Sequence, residues 1–302
     1  MHEPTIDHRN LVASLSSEQR RELTETSDRA GLVHLFAHAG LIVFVGGLIL
    51  ARVPFWPLLL PMQGILIAFL FSLEHETIHR TAFRSPALND WVARVCGVLV
   101  VLPADWFRYF HFAHHRHTQN ATRDPELAAP KPEALGEYLF HISGLRYWRA
   151  QIGTLLRNAA GRCEDKFVPP AGRTKVHRGA RIMLALYALW ALGSVAAGSP
   201  ALLWVWIVPA LLGQPFLRLF LLAEHGRCPF VANMLENSRT TFTNAVVRWL
   251  CWNMSFHSEH HALPAVPFHK LPAFHAIARD HLGATEQGYV RFSARYVAGL
   301  RG

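Results

Sequence analysis

Apolar residues in this chain gather into a few long blocks rather than the short alternating runs of a soluble domain. The first block runs from about Leu32 to Leu50, and the second from about Phe55 to Leu73, across the short break Ala51-Arg52-Val53-Pro54. A third runs from Ile182 to Ala197 and a fourth from Ala201 to Ala223, joined through Gly198-Ser199-Pro200. Each is near the roughly 20 residues that a helix needs to cross a bilayer. The pattern predicts an all-α integral membrane protein with four transmembrane helices, 32–50, 55–73, 182–197 and 201–223, arranged as two hairpins. Val92 to Leu102 is only about half a span, which predicts a re-entrant or buried segment.

The polar stretches predict the rest. Residues 1–31 form an N-terminal cytosolic or interfacial segment, in which Ser16-Ser17-Glu18 starts a helix with a serine supplying the N-cap oxygen. Residues 32–302 form the membrane domain. From Ala104 to Arg181 the chain is polar, Arg-rich and punctuated by proline. Within it, Leu135 to Leu156 has helical apolar spacing beside Arg146, Arg149 and Arg157, as in a helix lying on a membrane surface.

Charge orients these elements. The formal net charge of +9 comes almost wholly from arginine. Because these arginines flank apolar blocks, the expected partner is an anionic lipid surface and not a nucleic acid. The hairpin tips carry little charge, while the N-terminus, the middle loop and the C-terminus carry nearly all of it. The positive-inside rule therefore puts those three on the cytoplasmic side. The start of the chain has no apolar signal-peptide core, and the Arg-heavy, Lys-poor composition suggests a bacterium. The expected location is thus a multi-pass protein of a bacterial inner membrane with its active site on the cytoplasmic face. The four cysteines form no C-x-x-C pair, which speaks against a built-in rubredoxin, zinc ribbon or iron–sulfur cluster.

The chemistry is carried by histidine, of which there are 19. Three clusters stand out: His75-Glu-Thr-Ile-His79, His111-Phe-Ala-His114-His115 and His257-Ser-Glu-His260-His261. On a helix, residues i and i+4 share a face, so His75 and His79 can grip one ion. The H-x-x-H-H spacing is expected to set all three imidazoles on one face within one turn. His225, at the end of the fourth span, is a ninth candidate. Eight or nine imidazoles are too many for one closed site, so two ions are implied. Imidazole suits iron, copper, nickel and zinc alike. Location favours a redox metal, placed at a membrane surface to oxidise a lipid-like carbon.

Rival readings fit less well. A metal transporter or sensor would place its ligands along a mid-membrane path, whereas these clusters sit at span ends. A haem-binding electron carrier needs axial histidines facing each other on two long spans. The remaining histidines, His2, His8, His34, His38, His141, His177, His269, His275 and His281, read as ordinary polar residues, and His117 borders the second cluster. Near the clusters, Glu74, Glu76, Asp124, Glu126, Glu224 and Glu259 are candidates to orient ligands or simply to be solvated. Trp106, Phe107, Trp249, Trp252 and Phe256 either frame a substrate channel or, in the more ordinary reading, form an interfacial aromatic belt.

The order H-x-x-x-H, H-x-x-H-H, H-x-x-H-H around two hairpins resembles the membrane fatty acid desaturase superfamily. HETIHRTAF at 75–83, HFAHHRHTQNATRDPEL at 111–127 and WNMSFHSEHHALPAVPFHKLP at 252–272 resemble its bacterial desaturase branch. The resemblance implies a helical membrane domain with a cytosolic cap carrying the boxes. It implies His75, His79, His111, His114, His115, His257, His260 and His261, with His225 as the extra histidine, as ligands and catalytic residues around two non-haem irons. O2 would be co-substrate, and electrons would come from a separate ferredoxin, rubredoxin or cytochrome-type donor with its reductase. The substrate would be a fatty acyl or similar aliphatic chain. Desaturation and hydroxylation remain alternatives, since one metal site serves both. The first box has three residues between its histidines where some acyl-CoA desaturases have one more. A His-Pro-Gly-Gly haem motif is missing, so no fused cytochrome b5 is expected. These departures leave the substrate's carrier and the electron donor open.

Overall fold

The computed structural model describes residues 6–301; His2 and the first residues of the 1–31 segment lie outside them. The described chain is mainly helical, with almost no sheet. Two short helices open it, α1 (His8–Ser14) and α2 (Ser17–Leu23). Of the two serines at the start of α2, Ser16 is the cap, in a reciprocal capping box with Gln19. Leu11, Leu15 and Leu23 of this segment are buried against Phe274, Leu271 and Leu235 near the other end of the chain. His8 N donates to Asn233 Oδ1 at 3.0 Å.

Four long helices are apolar enough to cross a membrane, as the hydropathy pattern predicts. The first ends in α3 (Asp28–Leu50). The second comprises a 3-10 turn, α4 (Leu59–Ala68) and α5 (Leu70–His79). Next come α6 (Pro86–Val100) and α7 (Ala104–His117), which bend by 98° at the break between them. The half-span expected near Val92 to Leu102 is therefore one arm of a sharp bend. Two helices follow in the polar middle, α8 (Leu135–Ile142) and α9 (Leu145–Ala159), with exposed Leu135, Leu139, Phe140, Leu145, Ile152 and Leu156. Exposed apolar side chains in an Arg-rich helix pair suit a membrane surface.

The third crossing is α10 (Pro170–Ala196), and the fourth is a π-helical turn at Leu203–Ile207 leading into α11 (Val208–His225). Three crossing helices overrun their apolar blocks. α10 starts at Pro170, well before Ile182, and Lys175 Nζ ties its polar turns to Asp105 at 3.0 Å. α5 and α11 run on to His79 and His225. Hydropathy marks the membrane boundary, whereas a helix stops only where capping or proline ends it.

The two hairpins meet where α4 crosses α11. Small residues permit this close approach. A Cβ on Gly213 would lie 2.0 Å from Gly64 O, and one on Gly64 would lie 2.2 Å from Pro209 O. After α11 the chain forms a compact cap of short elements: α12 (Met234–Asn237), β1 (Thr240–Phe242), α13 (Ala245–Leu250), α14 (His257–Ala262), α15 (Leu271–Ala278), β2 (Thr285–Gln287) and α16 (Tyr289–Ala298). β1 and β2 pair in parallel, Thr240 opposite Thr285. Between membrane helices and cap lies a core around Phe83, Leu73, Ile78 and Trp252.

Candidate metal centre

The last turn of α5 carries His75 and His79, and α7 carries His111, His114 and His115. α14 carries His257, His260 and His261, and α11 ends on His225. All nine predicted histidines converge where these helix ends meet. His75, His79, His111, His115 and His260 each offer a ring nitrogen within 4.8 Å of the others. His114, His225 and His261 form a second such group. His257 joins the second group, with Nε2 2.9 Å from His225 Nε2 and its ring 4.5 Å from that of His261. The His115 and His261 rings stack at 4.1 Å between the groups.

The one-face spacing left open how the triplets share two ions. Each H-x-x-H-H triplet is divided between both groups. In α7, His111 and His115 go to the first group and His114 to the second. In α14 the division reverses, with His260 in the first group and His257 and His261 in the second. The cause is helical geometry. At 3.6 residues per turn, positions i+3 and i+4 lie about 100° apart around the axis, on either side of residue i. A helix aimed between two ions therefore serves both.

The nitrogens fit metal ions better than they fit one another. His225 Nδ1 donates to Asn237 O at 3.0 Å, and His114 Nδ1 donates to Asp124 Oδ1 at 2.9 Å. With those protons on Nδ1, both Nε2 atoms present lone pairs, yet they are 3.1 Å apart. In the first group, His111 Nε2 and His115 Nε2 are 2.8 Å apart, and His260 Nε2 lies 3.1 Å from His115 Nε2. Metal–nitrogen bonds of roughly 2.1 Å at right angles set neighbouring donors about 3 Å apart. A cation turns this lone-pair repulsion into coordination. Burial foremost, then neighbouring imidazoles, holds His257, His260 and His261 well below the usual histidine range. They are thus in the neutral form that binds metal.

The two groups are supported differently. Around the second, Asp124 and Asn237 orient their imidazoles, Glu224 Oε1 approaches His257 Nδ1 at 3.3 Å, and Thr118 Oγ1 lies 3.3 Å from His261 Nδ1. Glu126 Oε2 is 3.1 Å from His114 Nε2. Around the first, both ring nitrogens of His75, Nε2 of His79 and Nδ1 of His115 and His260 are buried without a hydrogen-bond partner, as are only His257 Nδ1 and His261 Nε2 among the second group's described nitrogens. Glu76 and Glu259 project away from the imidazoles but are not solvated. Glu76 Oε2 accepts from Thr81 Oγ1 at 2.9 Å and from Phe268 N at 3.1 Å. Glu259 accepts from Thr240 Oγ1 and His275 Nδ1.

Of the nine outlying histidines, His275 is a hydrogen-bonded structural residue through Glu259, and His38 joins two spans to the cap, while the aromatics depart from the sequence reading. His38 Nε2 donates to Leu66 O at 2.9 Å, and its Nδ1 accepts from Trp252 Nε1 at 3.4 Å. Trp106, Phe107, Trp252 and Phe256 are buried and do not form an interfacial belt. Trp249 stacks on His34, as does Trp252. Trp106 and Phe107 line a cavity of about 400 Å³ that also exposes His75, His111, His114, His225 and His257. Apolar walls with convergent polar groups are the usual form of a small-molecule site. Sequence reasoning missed Arg218, which also lines this cavity; its signal was a lone charge inside the fourth apolar block.

Comparison with known proteins agrees with this geometry. A sequence model described as Fatty acid desaturase matches residues 51–293. Similar proteins include the sn-1 acyl-lipid omega-3 desaturase (ferredoxin) of Synechocystis sp., 23% identical over 45% of this chain and 38% of that protein. The sn-1 oleoyl-lipid 12-desaturase of Arthrospira platensis is 23% identical over 80% of this chain and 75% of its own length. A sphingolipid delta(4)-desaturase/C4-monooxygenase of Homo sapiens is 25% identical over 68% of this chain and 60% of its own. The first of these alignments thus takes in well under half of the relative. The family match, in contrast, contains all nine clustered histidines and all four apolar helices except the first. The chain belongs to the fatty acid desaturase family.

Proposed function

We propose that this protein is an O2-dependent membrane oxidase that introduces a double bond into a fatty acyl or similar aliphatic chain. The observation that carries the reading is the cavity. It joins apolar walls from the membrane helices to imidazoles of both groups, so a chain lying in it has its carbons against both proposed metal positions.

The nine clustered histidines are the proposed ligands of two iron ions. Bound there, iron supplies the redox chemistry by which O2 is reduced and hydrogen is removed from an unactivated carbon. The chain's own residues do the rest. His257, His260 and His261 remain neutral and present lone pairs, while Asp124 and Asn237 fix which nitrogen of His114 and His225 faces inward. Phe71, Trp106, Phe107 and Leu222 line the cavity, hold the chain and exclude water. The site opens at the helix ends that the charge pattern assigns to the cytoplasm, within reach of a soluble ferredoxin, rubredoxin or cytochrome-type donor. A bacterial inner membrane is the proposed location.

The test compares lipids and polar metabolites by mass spectrometry in cells expressing the wild type and His260→Ala. A wild-type product lighter by two hydrogens supports the reading. A product heavier by one oxygen replaces it with hydroxylation, an outcome consistent with the human relative's being a desaturase/C4-monooxygenase. Protein that carries zinc alone and shows no iron-dependent activity refutes the iron assignment.

A further inference from the structure

Arg218 is the sole Asp, Glu, Lys or Arg between residues 182 and 223. Its guanidinium lies over the Tyr147 ring at 4.4 Å, and Tyr147 is itself fixed by donating its hydroxyl to Val100 O at 2.8 Å. Stacking occupies a face of the guanidinium and leaves its N–H edge free. Nε and Nη2 are buried without a partner. A buried charged donor with no acceptor is expensive, and an ionisable group within a membrane helix usually marks function.

Arg218 is not alone. Lys131 and Arg146 line the same cavity, and among the described residues no ion pair joins Lys131, Arg146 or Arg218 to a carboxylate. Burial holds Lys131 below the usual lysine range, with attraction to Glu126 partly offsetting it. The cavity's two carboxylates lie against the imidazoles, Glu126 Oε2 3.1 Å from His114 Nε2 and Glu224 Oε1 3.3 Å from His257 Nδ1. Charge is therefore sorted within one cavity, with acids beside the imidazoles and three cations without a carboxylate partner, Arg146 donating to Pro130 O at 3.2 Å.

We infer that Arg218, Lys131 and Arg146 form an anion site that receives the carboxylate or phosphate head of a single-chain amphiphile. This rests on the desaturase reading and narrows it. The substrate enters with its acid group inside the protein, not as a neutral ester. Arg218 and His225 are seven residues apart on α11, about 10 Å along the axis. The oxidised carbon then lies at a fixed, moderate distance from the acid, and the anion sets the position of attack.

The test is equilibrium binding to the metal-loaded full chain in lipid nanodiscs, without O2 or an electron donor. The probes are dodecanoate, dodecyl phosphate and dodecanol. At least one acid should bind on the order of tenfold more tightly than the alcohol, as expected for a hydrogen bond to a charged group. The two acids distinguish carboxylate from phosphate. The preference should disappear in Arg218→Gln and Lys131→Gln and survive in Arg218→Lys. If Arg218→Gln does not fold, Lys131→Gln and Arg146→Gln carry the test. Equal binding of acid and alcohol, no binding of any probe, or an unchanged preference in folded variants overturns the inference. Because binding is read without turnover, a protein that prefers acids but oxidises nothing refutes only the functional reading. One that desaturates neutral chains with no acid preference refutes only the anion site.

Discussion

His114 Nδ1 donates to Asp124 Oδ1 at 2.9 Å, and Asp124 also accepts from the backbone N–H of Gln119 (2.8 Å) and Glu126 (3.0 Å). The carboxylate is thus pinned by its own loop before it orients the imidazole. Removing such a support typically weakens metal binding about 10–100-fold. Asp124→Ala should bring purified protein from about two ions per chain toward about one, because His114 belongs only to the second group. Elemental analysis checks this. Unchanged metal content would show that His114 is oriented by other means.

The divided triplets predict which substitutions act together. His111→Ala and His260→Ala should damage the first group, and His114→Ala and His261→Ala the second. A double variant within one group should lose little more metal than either single variant. A double variant across the groups should lose metal from both, since residues sharing a site are non-additive and those serving separate sites are closer to additive. If His111 and His114 behave as members of one site, the division is wrong.

The sequence made some of this legible and hid the rest, for physical reasons. Spans and histidine boxes were readable because hydropathy and i, i+4 spacing are local properties. The division of each triplet was not, because it depends on where a helix axis points between two sites. Helix ends at Pro170, His79 and His225 were missed because polar turns continue a helix beyond its apolar block. The aromatics Trp252 and Phe256 looked interfacial, yet the cap buries them, and a cap built from distant short elements leaves no periodicity. The Glu259–His275 contact joins α14 to α15 across a loop. Neither residue's neighbours in sequence distinguish it from an ordinary polar pair.

The glycine crossing of α4 and α11 should tolerate no enlargement. A Cβ at Gly213 meets the Gly64 carbonyl at 2.0 Å, which is backbone and unable to rotate away. Overpacking of this kind costs about 1–3 kcal/mol or more. α4 continues into the helix bearing His75 and His79, and α11 ends on His225, so separating them pulls both groups apart. Gly213→Leu should lower the yield of monodisperse protein and its metal content together. Gly47, where an added Cβ meets nothing within 4 Å, supplies the control, and Gly47→Leu should leave both unchanged.

Glu259 is fully buried between two metal-group histidines, with Thr240 Oγ1 and His275 Nδ1 as its partners. Loss of the imidazole leaves a buried carboxylate short of one donor, at about 1–3 kcal/mol. His275→Ala should therefore lower the thermal midpoint and loosen α14, reducing metal retention even though His275 is not a proposed ligand. His281 is only partly buried, in the turn after α15. His281→Ala should fall within about 0.5 kcal/mol of the wild type. Thermal unfolding of the two variants, with elemental analysis of each, separates these roles. A His275→Ala protein as stable and as metal-replete as His281→Ala would show that Glu259 needs only Thr240.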